Sequence, residues 1–321
     1  MVPVTPLHRR SRAGFTIVEL IVVMGIIGVL LALVLPALGG AMRRGYKTRE
    51  MNDIKSVGNA WMLYANANND AALPGFLDLP VQAEPVRNVS RGWGVNYKMP
   101  NGVDSLQPTT GNFTGPWTWR LLSYLSYDHR LIHQYLDEPN PDHETLVSEG
   151  SKVAYQPAFG YNGYYLGGWW EMVKINGIDT PFAKFYDHCT VDARKRALSI
   201  PTTHAQIFRT SEMVAFCSSS NFASPGSYRR RDDIAGYHLV MPPMMELSAR
   251  WEPQPGDASG AVRVLQGNTA APIARYTNNI AVLYADGHVD QTGYNQLSSM
   301  RMWVNSADTP EFKHAQCNTA P

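Results

Sequence analysis

The feature that most constrains this chain is the stretch from Gly14 to Ala37, GFTIVELIVVMGIIGVLLALVLPA. It carries one charge, Glu19, and no further charge appears until Arg43. From Phe15 to Leu38 there are 24 residues (38 − 15 + 1). At about 1.5 Å rise per residue a helix of that length reaches roughly 36 Å, enough to cross a hydrocarbon core of about 30 Å. The run exceeds the 7–15 residues or so of a secretory h-region, and it holds a carboxylate, which a plain export signal has no use for. Burial alone leaves two readings of Glu19: a functional intramembrane carboxylate, or a side chain at headgroup depth with no role.

A basic segment, His8-Arg9-Arg10-Ser11-Arg12, precedes the run, and Arg43, Arg44, Lys47 and Arg49 follow it. The two clusters point in opposite directions under the positive-inside rule, so charge counting leaves the orientation open. The apolar pattern continues with Met42, Tyr46, Ile54, Val57, Trp61 and Tyr64 at three- and four-residue steps among charged and amide residues. This predicts an amphipathic continuation of the helix over 39–68 with a core-facing stripe, Pro36 and Gly39-Gly40 being candidate kinks. Asn66 to Asp70, then Leu73-Pro74-Gly75, reads as its end.

Gly14-Phe15-Thr16-Ile17-Val18-Glu19-Leu20 resembles the processing site of type IV prepilins and type II secretion pseudopilins. The glutamate stands five residues after the glycine (19 − 14 = 5), and Pro36 falls where many such proteins have a proline in the first helix. The resemblance implies cleavage of a basic leader after Gly14, N-methylation of Phe15, and a role for Glu19 in assembly. It also implies a pilin-like fold and a prepilin peptidase/methyltransferase as processing partner. Other pilin or pseudopilin subunits, an inner-membrane assembly platform and membrane lipid complete the implied partners, with the C-terminal domain extracytoplasmic. Gly14 suits the scissile bond, since it lacks a Cβ. A Glu19 buried among helices would find its counter-charge in the free amine of Phe15 on a neighbour. Tyr64-Ala65-Asn66 to Asp70 and Leu73-Pro74 look like a turn found after prepilin-type helices. Ala285-Asp286-Gly287-His288-Val289 and Gly160-Tyr161-Asn162-Gly163-Tyr164 resemble tracts in a group whose C-terminal signature is a histidine, nine residues, then Asp-Gly. Here the histidine position is Tyr276, so its role is not carried over.

With 321 residues, 44% of them apolar and 17% charged, the chain can bury one large or two small domains behind the anchor. A net charge of +1 implies no nucleic-acid partner. Residues 75–116 read as a long loop excursion with short strands. Trp117 to Leu125 begins a short helix, 129–136 reads as another, and Gly160 to Gly163 as a turn between extended pieces. Strand signals lie at Met213–Ser218, Gly236–Met241 and Asn279–Ala285, the last running into Asp286-Gly287 and His288-Val289-Asp290, a hairpin. The expected class is α+β: a long N-terminal helix, membrane-spanning and then amphipathic, packed on a small antiparallel sheet domain with long loops. The divisions are a leader (1–14), a transmembrane part (15–38), an amphipathic continuation (39–68) and a globular domain (69–321).

Little else points to chemistry. Cys189, Cys217 and Cys317 include no CxxC, and their pairing stays open. His129 and His133 share a helix spacing but lack a third ligand. No cofactor is expected. Asp286 with Gly287 is a turn, with calcium ligation by Asp286 as the alternative. No G-x-S-x-G, Walker or Rossmann pattern occurs. Arg229 to Asp233 reads as a solvated charge run, and Trp117, Trp119, Trp169 and Trp170 as core rather than a sugar platform. The expected function is a non-enzymatic filament subunit, of a type IV pilus or of a secretion pseudopilus. The alternative is a membrane-anchored binding module, glycan-binding for instance, that uses a prepilin leader for export.

Overall fold

A computed structural model describes residues 16–82, 115–126, 128–132, 154–175, 177–184, 200–222, 228–229, 235–244, 249–254, 262–265 and 269–312. The leader with Gly14 and Phe15, most of the 75–116 excursion, His133, Cys189, Cys317 and residues 230–233 lie outside these. The class is α+β. Two compact units divide the chain at Met1–Tyr46 and Lys47–Pro321.

Helix α1 runs unbroken over Ile17–Ala67, across Pro36 and the two glycines. Its N-terminal half, in the first unit, is uncovered, with large apolar side chains exposed from Ile17 to Leu35 and again at Leu38. The helix stops where Asn69 and Asp70 take positive φ values of 54° and 65°, a conformation these two residue types tolerate. The core-facing stripe within the second unit begins at Glu50 and includes Ile54, Val57, Trp61 and Tyr64. Met42 and Tyr46, expected in the stripe, are exposed instead.

Among the described residues there are three sheets, where one small antiparallel sheet was expected. The main sheet has the order β11-β10-β5-β2, from β2 (Phe159–Tyr161), β5 (Val214–Phe222), β10 (Ile280–Tyr284) and β11 (Val289–Thr292), all antiparallel. The far half of β5 pairs with β9 (Thr269–Pro272), from Ser219↔Pro272 to Phe222↔Thr269. A second sheet joins β1 (Phe76–Leu77), parallel to β3 (Trp169–Ile175), and β4 (Ile178–Lys184). A third comprises β6 (Tyr228–Arg229), β8 (Val262–Val264) and β7 (Trp251–Pro253). Helices α2 (Leu79–Gln82), α3 (Thr118–Leu122) and α4 (Tyr294–Leu297) are short.

The unalternated run of β10 follows from burial on both faces. Ala281, Leu283 and Ala285 meet Ile54, Val57 and Trp61 of α1, together with Trp117 and Phe216. Ile280, Val282 and Tyr284 meet a second core built on Trp251, Leu297 and Trp303. Gly58 permits the close helix–sheet approach, since a Cβ there would stand 2.6 Å from Leu283 Cδ1.

Three further sequence expectations are corrected. Gly236–Met241 is not a strand: it makes one bridge, Leu239 to Tyr161, and its amides turn to scattered acceptors. His238 N–H donates to Tyr155, Val240 N–H to Tyr161 and Met241 N–H to Ala270, so no one partner strand claims it. Gly160 and Tyr161 belong to β2, and the turn comes after Asn162. His129 sits in a 3-10 turn, His129–Leu131, where a longer helix over 129–136 was expected.

Candidate functional site

The start of α1 is capped by its own sequence. Thr16 Oγ1 accepts from the Glu19 amide at 3.3 Å, while Glu19 Oε2 accepts from the Thr16 amide and hydroxyl, each at 2.8 Å. This is a reciprocal capping box, which satisfies amides that the first helical turn leaves without acceptors. It also turns the carboxylate back onto the Thr16 amide and hydroxyl. Thr16 and Glu19 are exposed, as is the apolar surface that follows them. Among the described residues, α1 is the one helix long and apolar enough to cross a membrane. The signal for the cap lies in the sequence, a T-x-x-E ahead of an apolar run.

Asp286 and Gly287 form the tip between β10 and β11. Gly287 N–H donates to Tyr284 O at 2.9 Å and its φ is +86°, so the loop has three residues with the glycine in the left-handed position. Asp286 Oδ1 takes the His288 amide at 3.0 Å and lies 2.5 Å from His288 Nδ1, and the His288 ring stacks on Tyr284 at 4.3 Å. Partial burial opposes ionisation of Asp286, but the two His288 contacts outweigh it and hold the carboxyl below its ordinary value. Lys55 Nζ donates to Gly287 O at 2.6 Å, tying the tip to α1. No group of three metal-ligating side chains occurs among the described residues.

The tryptophans serve packing. Trp117, Trp119 and Trp170 are buried, and Trp169 stacks on Phe76 at 4.2 Å and on Tyr164 at 5.7 Å. Trp117 Nε1 donates to the His238 carbonyl and Trp170 Nε1 to Gly167 O at 2.5 Å. Cys217 is a free, buried thiol whose ionisation burial suppresses, with the nearby Glu50 adding to the effect.

Two buried polar residues had no functional reading in the sequence. Asn162 Nδ2 donates to Val214 O at 3.0 Å and Trp303 O at 2.9 Å, and its amide donates to Ala215 O at 2.9 Å. It therefore ties β2, β5 and the C-terminal segment together. Glu50, on α1, accepts from Ser218 Oγ at 2.5 Å. Burial raises its pKa, only partly offset by that bond and by Arg275.

Comparison with known proteins matches residues 9–35 to the prokaryotic N-terminal methylation motif. Type II secretion system core protein G from Aeromonas hydrophila is 29% identical over 29% of this chain and 76% of its own length. The same protein from Vibrio cholerae is 30% identical over 28% of this chain and 70% of its own, and that from Pectobacterium carotovorum 32% over 27% and 66%. No solved structure matches. A methylation motif set at the start of a long apolar helix, and relatives matched over most of their own length, place this chain in the type IV prepilin and type II secretion pseudopilin family.

Proposed function

We propose that this chain is a filament subunit, made as a prepilin in the cytoplasmic membrane. It is cut after Gly14 by a prepilin peptidase, methylated on Phe15, and assembled through α1 into a type II secretion-type or type IV filament. The divisions proposed are the leader 1–14, the span 15–38, the amphipathic helix 39–68 and an extracytoplasmic domain 69–321. The observation that carries the reading is the uncovered apolar half of α1 with one carboxylate in its first turn. A surface of that kind needs lipid before assembly and neighbouring helices after it. In such a bundle Glu19 has no route to water, so the amine of Phe15 on an adjacent subunit is its natural partner and selects one axial stagger. The domain then stands outside the cytoplasm, and the assembly platform in the inner membrane is the partner that draws subunits out.

The test is to shear filaments from cells and measure this chain in them, with mass spectrometry of its N-terminus. Wild type is expected in the sheared fraction with a methylated Phe15 start. Glu19→Val is expected to insert and be cleaved normally yet stay in the membrane fraction. A different start, or wild-type amounts of Glu19→Val in filaments, would refute the reading.

A further inference from the structure

Where α1 first meets its own domain, the contact is polar rather than apolar. Between Lys47 and Asp53 the buried side chains are Glu50, at 2% exposure, and Asp53, at 7%. Met51 is half-buried against the first core, and full apolar burial starts only at Ile54. The strand it meets is polar in turn, since Ser218, Ser219 and Ser220 of β5 are all buried. Ser218 Oγ joins the two, 2.5 Å from Glu50 Oε1, whereas Asp53 pairs within the helix, 3.4 Å from Arg49 Nε.

Beyond Asp53 the attachment changes character. Ile54, Val57 and Trp61 are buried, Lys55 Nζ donates to Gly287 O at 2.6 Å, and Gly58 lets Leu283 approach closely. Large apolar side chains contribute about 1.5–3 kcal/mol each when fully buried, and the turn before them has no comparable adhesion. The end of a docked segment, with few buried apolar contacts, is the part that opens at least cost.

The charged and titratable groups set against Glu50 come from three elements. α1 supplies Lys47 and Asp53, three residues to either side, with Arg49 paired to Asp53. β5 supplies the Cys217 thiol. The segment after β9 supplies Arg275, whose Nη2 donates to Ser219 O at 2.6 Å and Ala158 O at 3.5 Å. Burial is the largest influence and favours the neutral acid; the Ser218 bond and the Arg275 charge favour the carboxylate less strongly, and Asp53 opposes it. A seated Glu50 is therefore held to its proton above the ordinary value of 4.5, whereas a Glu50 in water gives it up there.

We propose that Glu50 is a proton-operated latch for the first docked turn of α1. Protonated, it seats residues 47–53 on β5; ionised, it turns out to water and releases that turn, while Ile54 onward stays packed. The release adds about 6 Å of helix, roughly four residues at about 1.5 Å each, to the part of α1 not bound to the domain. One proton couples to the opening, so the opened fraction climbs at most about tenfold per pH unit above the ordinary value and levels off past the seated one. The latch is a property of the domain and holds whether or not the chain enters filaments.

The test treats the full-length chain in detergent micelles with hydrogen peroxide over a pH series from about 5 to about 8. Met51 reports the latch turn, and Met62, on the same helix and packed on the same core, reports the stripe beyond it. Cleavage by trypsin at Arg49 and Lys55 separates the two methionines for mass spectrometry. The Met51 oxidation rate relative to Met62 is expected to rise several-fold with pH in wild type. It is expected to stay flat in Glu50→Gln, which keeps an Oε1 acceptor for Ser218 and has no proton to lose. Asp53→Asn is expected to keep a rise. A flat ratio in wild type, a rise that survives Glu50→Gln, or one that vanishes in Asp53→Asn would overturn the latch. So would a Met62 rate that climbs in step with that of Met51, since the whole stripe would then be opening.

Discussion

Replacing Asn162 tests how the domain is tied together. The side chain is fully buried and directs both Nδ2 hydrogens at backbone carbonyls, Val214 O at 3.0 Å and Trp303 O at 2.9 Å. Asn162→Ala removes two donors and leaves two buried acceptors short of a partner. An orphaned buried group costs about 1–3 kcal/mol, so the pair is worth roughly 2–6 kcal/mol, and about 3 kcal/mol is the expected loss. That is a large share of the ~5–15 kcal/mol that holds a typical domain together. The assay is urea unfolding of the detergent-solubilised full-length chain followed by tryptophan fluorescence. Trp61, Trp117, Trp251 and Trp303 are all fully buried and report loss of both cores. The midpoint should fall with the slope unchanged. Among the described residues Asn162 Oδ1 has no hydrogen-bond partner, so all the value lies in Nδ2. Asn162→Asp should then be worse than alanine at neutral pH, because it sets a carboxylate against the same two carbonyls. A loss below about 1 kcal/mol, or an aspartate variant as stable as the alanine one, would refute the reasoning.

Three further outcomes are expected. Glu19→Gln keeps the capping acceptor but drops the charge, whereas Thr16→Val drops the cap and keeps the charge; if pairing drives assembly, filament fractions should collapse for the first and largely survive for the second, and the reverse would make Glu19 a cap alone. The Glu50 pKa is raised by burial above its ordinary value of 4.5, so its contribution is fully present below that value and is lost as pH rises through the folded one. Glu50→Gln should therefore gain stability relative to wild type as pH rises over that window in thermal melts, and parallel curves would deny the effect. Gly287 at φ +86° should not accept a branched side chain, so Gly287→Val should cost about 1 kcal/mol or more, while a chelator should leave the wild-type melt unchanged because His288 already occupies Asp286 Oδ1.

Elements whose causes are local were legible. The 3.6-residue stripe of α1, the apolar run of β10 and the Asp286-Gly287 tip each declare themselves within a few residues. Ile175-Asn176-Gly177-Ile178 is equally declarative, since Asn-Gly is the strongest short hairpin signal; β3 and β4 pair directly across it with Gly177 at φ +79°. Gly236–Met241 misled because extended, apolar sequence does not say whether one strand or several segments will take its amides. Asn162 and Glu50 were illegible for a related reason. Each is defined by partners far away in the chain, Trp303 being 141 residues beyond Asn162 and Ser218 168 beyond Glu50. At the candidate site, Glu19 was found through its neighbours in sequence, whereas the role of Thr16 needed the helix start to be seen as a reciprocal pair.

The tie between Lys55 and Gly287 joins residues 232 positions apart. At synthesis rates of about 5–20 residues per second, the helix face carrying Ile54, Val57 and Trp61 leaves the ribosome roughly 10–45 s before β10 exists to cover it. Chain fragments ending ahead of Ile280 have Trp117 and Phe216 to set against that face but lack Ala281, Leu283 and Ala285. Until β10 is made, that part of the stripe stays open to solvent and to other apolar surfaces. That interval, rather than the stability of the finished domain, then sets how long the stripe is open to misassociation.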